Sequence, residues 1–235
     1  MTKRLYEEDA YRRECEATVL AADEAGVVLD QTVFYAMGGG QPGDTGVLRW
    51  GDGAELVVVD TRKGDGTDIV HVPAAGSPLP TPGTTVRAAI DWDRRHRHMR
   101  MHTCLHLLCA VVGAPVTGGN LTAEKGRLDF DLPESTVDKA SLTEALNALI
   151  ARDSETAVQW ITDAELDARP ELVKTLSVAP PRGAGRVRLL SIPDIDLQPC
   201  GGTHVARTGE IGRVRVTKIE KKSRLNRRIA VELED

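Results

Sequence analysis

A change of hydrophobic period near residue 91 divides the chain. Between Thr18 and Asp91 the apolar residues fall in short β-type runs, TVL, GVVLD, GVLRW, ELVVVD, DIVHV and TTVRAAID, broken by Gly, Asp and Pro. Runs of this length and spacing predict a small β-barrel or sandwich. Beyond them Met101, Leu105, Leu108 and Val112 recur at helical spacing, which predicts an amphipathic helix from about Asp93 to Val112 ending at Gly113. Strand-like runs VTGGNLT and RLDFDL follow, then a second helix from about Thr136 to Arg152, with Ser135 and Asp138 as a capping signal. AVQWITD reads as a strand, DAELDAR as a short helix stopped by Pro170, and RVRLLSI, GRVRVTKIE and RRIAVELE as further strands. The expected class is therefore α+β, with a barrel-like domain over residues 1–92 and a domain built on a mainly antiparallel sheet over 93–235.

Composition narrows the function classes. No segment approaches the roughly 20 apolar residues needed to cross a bilayer, and MTKRLYEEDAYRRE lacks the apolar stretch of a signal peptide. No membrane role and a cytoplasmic location are expected. A net charge of −5 argues against indiscriminate binding to phosphate backbones, yet leaves room for local basic clusters. Three such clusters exist, each of which taken alone reads as solvated surface: Arg94, Arg95, Arg97 and Arg100; Arg182, Arg186 and Arg188; and Lys218, Lys221, Lys222, Arg224, Arg227 and Arg228. Aromatic residues make up only 3% of the chain, so base stacking on aromatic platforms is not expected as a mode of nucleic-acid binding.

Four cysteines, Cys15, Cys104, Cys109 and Cys200, form no CxxC, and read as buried thiols or metal ligands. On the long helix His102 and His106 stand four residues apart, so both imidazoles lie on one face and can share an ion. An HxxxH pair alone is a weak signal. Cys200-Gly201-Gly202-Thr203-His204 adds a thiolate and an imidazole separated by two glycines that let the backbone turn sharply. The four side chains form a nitrogen-rich set with one soft sulfur, which suits tetrahedral zinc. His98 lies one turn before His102, too far to join the same sphere, and reads as a neighbour of the ligands or of the substrate. A third motif, Gly38-Gly39-Gly40-Gln41-Pro42-Gly43-Asp44-Thr45-Gly46, lacks the GK[ST] ending of a phosphate-binding P-loop and by itself reads as a turn between strands.

The stretches TVFYAMGGGQPGDTG, HMRMHTCLH and DLQPCGGTHV, in this order and separation, resemble the editing domain of alanyl-tRNA synthetase and its freestanding AlaX relatives. The second half also resembles the additional editing domain of threonyl-tRNA synthetase. This resemblance covers the chain from about Thr18 onward, and points to the medium AlaX type: an N-terminal β-barrel followed by an editing domain with a long zinc-binding helix. It implies His102, His106, Cys200 and His204 as zinc ligands, and Thr32 and Gln41 as residues near the amino-acid pocket. Cys104, between the two histidines, reads as packing; Asp196 fits the family pattern and reads either as a turn residue or as an acceptor behind a ligand.

The resemblance further implies a zinc-dependent ester hydrolase that clears mischarged alanine tRNA, with serine the leading amino acid and glycine second. A pocket shaped for alanine cannot strongly reject an isostere that adds only a hydroxyl. A protease reading fails, because Thr103 occupies the place of the general-base glutamate in HExxH. Four protein ligands would close a tetrahedral shell, whereas a catalytic zinc keeps a position open. Lewis acid, activator of water and template for the substrate therefore all stay open as roles for the ion. The rival from another class is a non-enzymatic, zinc-stabilised tRNA-binding module. Lys221, Lys222, Arg224, Arg227 and Arg228, at the last hairpin, are the expected tRNA contacts.

Overall fold

The structure, a computed structural model, describes residues 1–132, 138–176 and 185–234, and divides into two compact units, Met1–His96 and Arg97–Asp235. The first contains β1 (Lys3–Arg4), β2 (Glu14–Asp23), β3 (Gly26–Leu29), β4 (Gln31–Thr32), β5 (Gly46–Trp50), β6 (Ala54–Lys63), β7 (Ile69–Pro73) and β8 (Thr85–Ile90). Six of these close into a barrel in the order β2-β3-β7-β6-β5-β8, while β1 and β4 form a short parallel pair. The barrel, rather than the sandwich, follows from the pairing of β5 with β8, which leaves no edge between the ends of the meander. Alternation sets the core: in β8, Val86, Ala88 and Ile90 point inward while Thr85 and Arg87 face out. Val19, Leu29, Phe34, Leu48, Leu56 and Val58 fill the rest of the interior.

The glycine-rich motif is a tight hairpin turn. Gly38 and Gln41 exchange both backbone hydrogen bonds, at 3.1 and 3.0 Å, around Gly39 and Gly40, whose φ angles of 57° and 82° are both left-handed. Two consecutive left-handed residues between paired positions make the turn that glycine favours most. Behind it Asp44 and Arg95 form a fully buried ion pair. Arg95 Nε donates to both Asp44 oxygens at 3.1 and 2.9 Å, and its remaining nitrogens donate to the carbonyls of Val33 and Ala10. Asp44 also accepts from the Tyr35 amide at 2.7 Å. Arg95 is therefore no part of a solvated basic cluster.

Next comes α1 (Trp92–Val112), followed by β9 (Val116–Leu121), β10 (Lys125–Asp131), α2 (Lys139–Ala151), β11 (Ala157–Thr162), α3 (Asp163–Asp167), β12 (Arg186–Ile192), β13 (Asp196–Pro199), β14 (Val214–Lys221) and β15 (Asn226–Leu233). Among the described residues these strands form two antiparallel sheets, β14-β15-β10-β9 and β11-β12-β13. Helix α1 differs from the amphipathic helix expected: every residue from Met101 to Cys109 is buried, so this stretch has no wet face. Its close approach to β10 is made possible by Gly126, where a Cβ would lie 2.7 Å from Met101 Sδ. Gly113, at φ 65°, ends the helix and donates its amide to the Cys109 carbonyl.

Helix α2 starts at Lys139, with Asp138 as its N-cap accepting from the Ala140 and Ser141 amides. The expected start near Thr136, like Ser135, lies outside the described residues. Pro170 does not merely stop α3; it opens a 3-10 turn through Leu172. Leu142, Leu146 and Ile150 pack α2 inward, and Asn147 bonds both the amide and the carbonyl of Val214 on β14. No helix among the described residues is long and apolar enough to cross a membrane.

Asp44→Ala should leave the Arg95 guanidinium buried without its counter-charge. A loss of about 3–5 kcal/mol in urea unfolding is expected.

Candidate metal centre

Burial of α1 on all sides between Met101 and Cys109 forces the polar residues of that stretch to find partners inside, since an unpaired buried polar group costs free energy. His102 and His106 meet Cys200 and His204 there, and the four candidate ligand atoms all lie within 4.8 Å of one another. Cys200 Sγ is 3.6 Å from His102 Nε2 and 3.2 Å from His204 Nε2. Tetrahedral coordination at ordinary Zn–N and Zn–S lengths separates ligand atoms by about 3.3–3.6 Å. The donor set therefore fits one cation by its chemistry, and its atoms are gathered closely enough to share it.

The atoms behind the ligands orient them. His106 Nδ1 lies 2.8 Å from Asp196 Oδ2, so with Nδ1 protonated its Nε2 is left for the ion. Asp196 is itself buried and is also held by Lys174 on Oδ1 and by Gln198, whose Nε2 donates to Oδ2 at 2.7 Å. Of the two readings of Asp196, the acceptor behind a ligand is the one its hydrogen bonds support. Thr103 donates its hydroxyl proton to the Met99 carbonyl at 2.9 Å and accepts from the Val205 amide. Its oxygen can then accept only, which makes it an acceptor for His204 Nδ1 at 3.3 Å. The residue that excluded a protease thus sits behind a ligand instead.

Electrostatics prepare the sulfur. Burial opposes a thiolate at Cys200, but His102, His204 and His106 around it outweigh that cost and hold its pKa well below the usual thiol value. Burial likewise opposes charge on His106, yet the Cys200 sulfur and Asp196 raise its pKa to about 9. At His204 burial wins, and the pKa falls to about 3. Cys104 and Cys109 behave differently: with burial dominant, both thiols are pushed up to about 12, in keeping with a packing role.

The Cys200-Gly201-Gly202 turn is tied down by a residue that sequence reading placed in a surface basic cluster. Arg188 is buried, and its Nη1 donates to the carbonyls of Cys200 and Gly202 at 2.8 and 2.9 Å. Arg182 of the same cluster lies outside the described residues. Sequence reading grouped Arg188 with other cations and passed over Lys174, because their roles depend on which segments become neighbours in the fold. Gln198, inside the DLQPCGGTHV stretch, stood in a motif already recognised.

Thr32 and Gln41 belong to the other unit and are fully buried. His71 Nδ1 is 2.9 Å from the Val27 carbonyl, which can only accept, so the proton resides on Nδ1 and Nε2 is an acceptor. Burial, opposed in part by that bond, lowers the His71 pKa to about 4 and keeps the ring neutral. Thr32 then donates its proton to His71 Nε2 at 2.8 Å and accepts from the Phe34 amide at 3.0 Å. In the terminal hairpin, Lys221, Lys222 and Arg224 are exposed. Arg228 instead makes two 2.7 Å bonds to Asp129, and Arg227 reaches the carbonyls of Ser223 and Asn226.

Removing the carboxylate behind His106 tests the centre. Asp196→Ala should weaken metal retention by about tenfold to a hundredfold, measured by competition with a chelator on the intact protein.

Residues 187–230 match the threonyl and alanyl tRNA synthetase second additional domain, and residues 8–94 match tRNA synthetases class II (A). Over the whole chain the sequence is 40% identical to the alanyl-tRNA editing protein AlaX-M of Methanosarcina barkeri, covering all of both chains. It is 34% identical to AlaX-M of Saccharolobus solfataricus, over 97% of this chain and 98% of that one. An alanine–tRNA ligase of Pyrococcus abyssi is 37% identical over 94% of this chain, which spans 24% of the ligase. With relatives of that name matched end to end, the chain belongs to the AlaX-M family of alanyl-tRNA editing proteins.

Proposed function

We propose that this protein is a trans-editing hydrolase that removes serine, and secondarily glycine, from mischarged alanine tRNA with the help of zinc. The observation that carries the reading is the convergence of His102, His106, Cys200 and His204 in a chain matched end to end by alanyl-tRNA editing proteins. Zinc bound there would supply Lewis-acid polarisation of the aminoacyl ester or of a water.

The rest of the chemistry falls to the protein's own side chains. Asp196 and Thr103 fix the imidazoles of His106 and His204, and Arg188 holds the turn that presents Cys200. Thr32 and Gln41 are the residues proposed to decide which amino acid leaves. With its own proton given to His71, the Thr32 oxygen retains acceptor capacity suited to the hydroxyl of serine, which alanine lacks. Leaving such a partner unmatched disfavours the correct product. Lys221, Lys222 and Arg224, with Arg227 and Arg228 beside them, are proposed to meet tRNA phosphates. The Arg228–Asp129 pair makes the first three the stronger candidates.

Purified protein should release serine from Ser-tRNA(Ala) faster than alanine from Ala-tRNA(Ala); retardation of the tRNA without release of serine would sink the enzymatic reading. Thr32→Val or Gln41→Leu should narrow the serine-to-alanine ratio by roughly threefold to tenfold, with metal content unchanged. His204→Ala should abolish both hydrolyses.

For the hairpin the readout is salt. Neutralising Lys221 and Lys222 together should weaken tRNA binding and lower the slope of log affinity against log salt by about 1.5–2, whatever amino acid is attached. An unchanged slope would return these residues to solvated surface.

A further inference from the structure

The sheet β11-β12-β13 has two faces of different character. Val187, Leu189, Ile161 and Leu197 point one way and pack with Leu166 of α3 and with Leu172. The register places Trp160 opposite Arg188 and Thr162 opposite Arg186, while Leu190 pairs with Gln198 and Ile192 with Asp196. Side chains at directly paired positions share a face. The second face therefore carries Val158, Trp160, Arg186, Arg188, Gln198 and Asp196.

Along this face burial falls from one side to the other. Asp196 and Gln198 are buried beside His106, and Arg188 is buried beneath the Cys200 turn. On β11, one strand further, Trp160 is 39% and Val158 42% exposed. The Arg186 guanidinium, itself exposed, lies 4.2 Å from the centre of the Trp160 ring. Because the Cys200 amide bonds the Arg188 carbonyl, Cys200 stands one strand spacing beyond Arg188. The Trp160 backbone is then two spacings, roughly 10 Å, from that of Cys200.

The geometry points to Trp160 and Arg186 as a stacking platform for an unpaired nucleotide at the 3′ end of the tRNA, beside the metal centre. An exposed aromatic capped by a guanidinium is the pairing that single-stranded nucleic acid uses, with the ring taking a base and the cation the adjoining phosphate. Charge complementarity selects this occupant, since an anionic backbone meets Arg186 at the rim of the patch. Position supports it too: the amino acid is esterified to the terminal ribose of a single-stranded end, so a base held about two strands from Cys200 keeps its own or its neighbour's ester near the ligands. This inference rests on the editing reading, and supplies the anchor for the substrate's end.

The test compares binding of uncharged tRNA(Ala) having an intact 3′ end with the same tRNA trimmed of its unpaired 3′ nucleotides. The wild-type protein should prefer the intact form by roughly fivefold to a hundredfold. Trp160→Ala should bind both forms equally, at the level of the trimmed one, whereas Trp160→Phe should keep most of the preference. Arg186→Gln should reduce the preference and flatten its salt dependence. With Ser-tRNA(Ala), Trp160→Ala should raise KM while kcat and metal content stay close to wild type.

A Trp160→Ala protein that keeps the full preference overturns the platform, and leaves the editing reading standing if serine is still released. Altered self-association without any change in tRNA preference would mean that the patch is an interface between copies, and equally overturns it. Absence of serine release from the wild type overturns the editing reading instead, while the trimmed-tRNA comparison still decides the platform.

Discussion

Complete burial of the middle of α1 is the constraint from which the centre follows. A nine-residue stretch without a wet face cannot carry two histidines and a threonine unless each finds a polar partner inside. The partners come from distant parts of the chain: Asp196 for His106, and Cys200 and His204 of the glycine turn. Gly126 permits the approach of β10 that helps to enclose the helix. Packing and ligand geometry are thus one requirement here: a helix held this tightly also holds its imidazoles in register.

The site shows how a low-dielectric interior can be made to hold charge. Desolvation alone would neutralise Cys200, and at Cys104 and Cys109 it does prevail. Three imidazoles around one sulfur reverse the outcome. Asp196 extends the network outward, with Lys174 on one oxygen and His106 and Gln198 on the other, so that a buried carboxylate has partners at both oxygens. The orientation of His106, and the affinity of the cluster for any ion it holds, would consequently depend on residues outside the candidate ligand set.

The barrel unit uses the same principle for structure. Arg95 and Asp44 are matched by several hydrogen bonds where a solvated arginine was expected. The short GGGQ segment is a turn set by two left-handed glycines, and the Thr32 hydroxyl is oriented by a neutral histidine from another strand. In each case a polar side chain that looks available in the sequence is already engaged in the fold.

Much was legible in the residues themselves, because local chemistry leaves local marks. The six strands of the barrel were spelled by alternation and turn residues, α1 by its period and Gly113, and the His102, His106, Cys200 and His204 cluster by HxxxH and CGGTH. Choosing barrel over sandwich was beyond alternation, since closure depends on β5 finding β8 across an interval of some forty residues. Tertiary structure alone decided that the middle of α1 is buried all round, that Arg188 and Arg95 face inward, and that Asp196 backs His106. It also decided that Trp160 shares a sheet face with the centre. These are contacts between segments far apart in the chain, and amino-acid type records only that a side chain can make such a contact, not which partner the fold will bring to it.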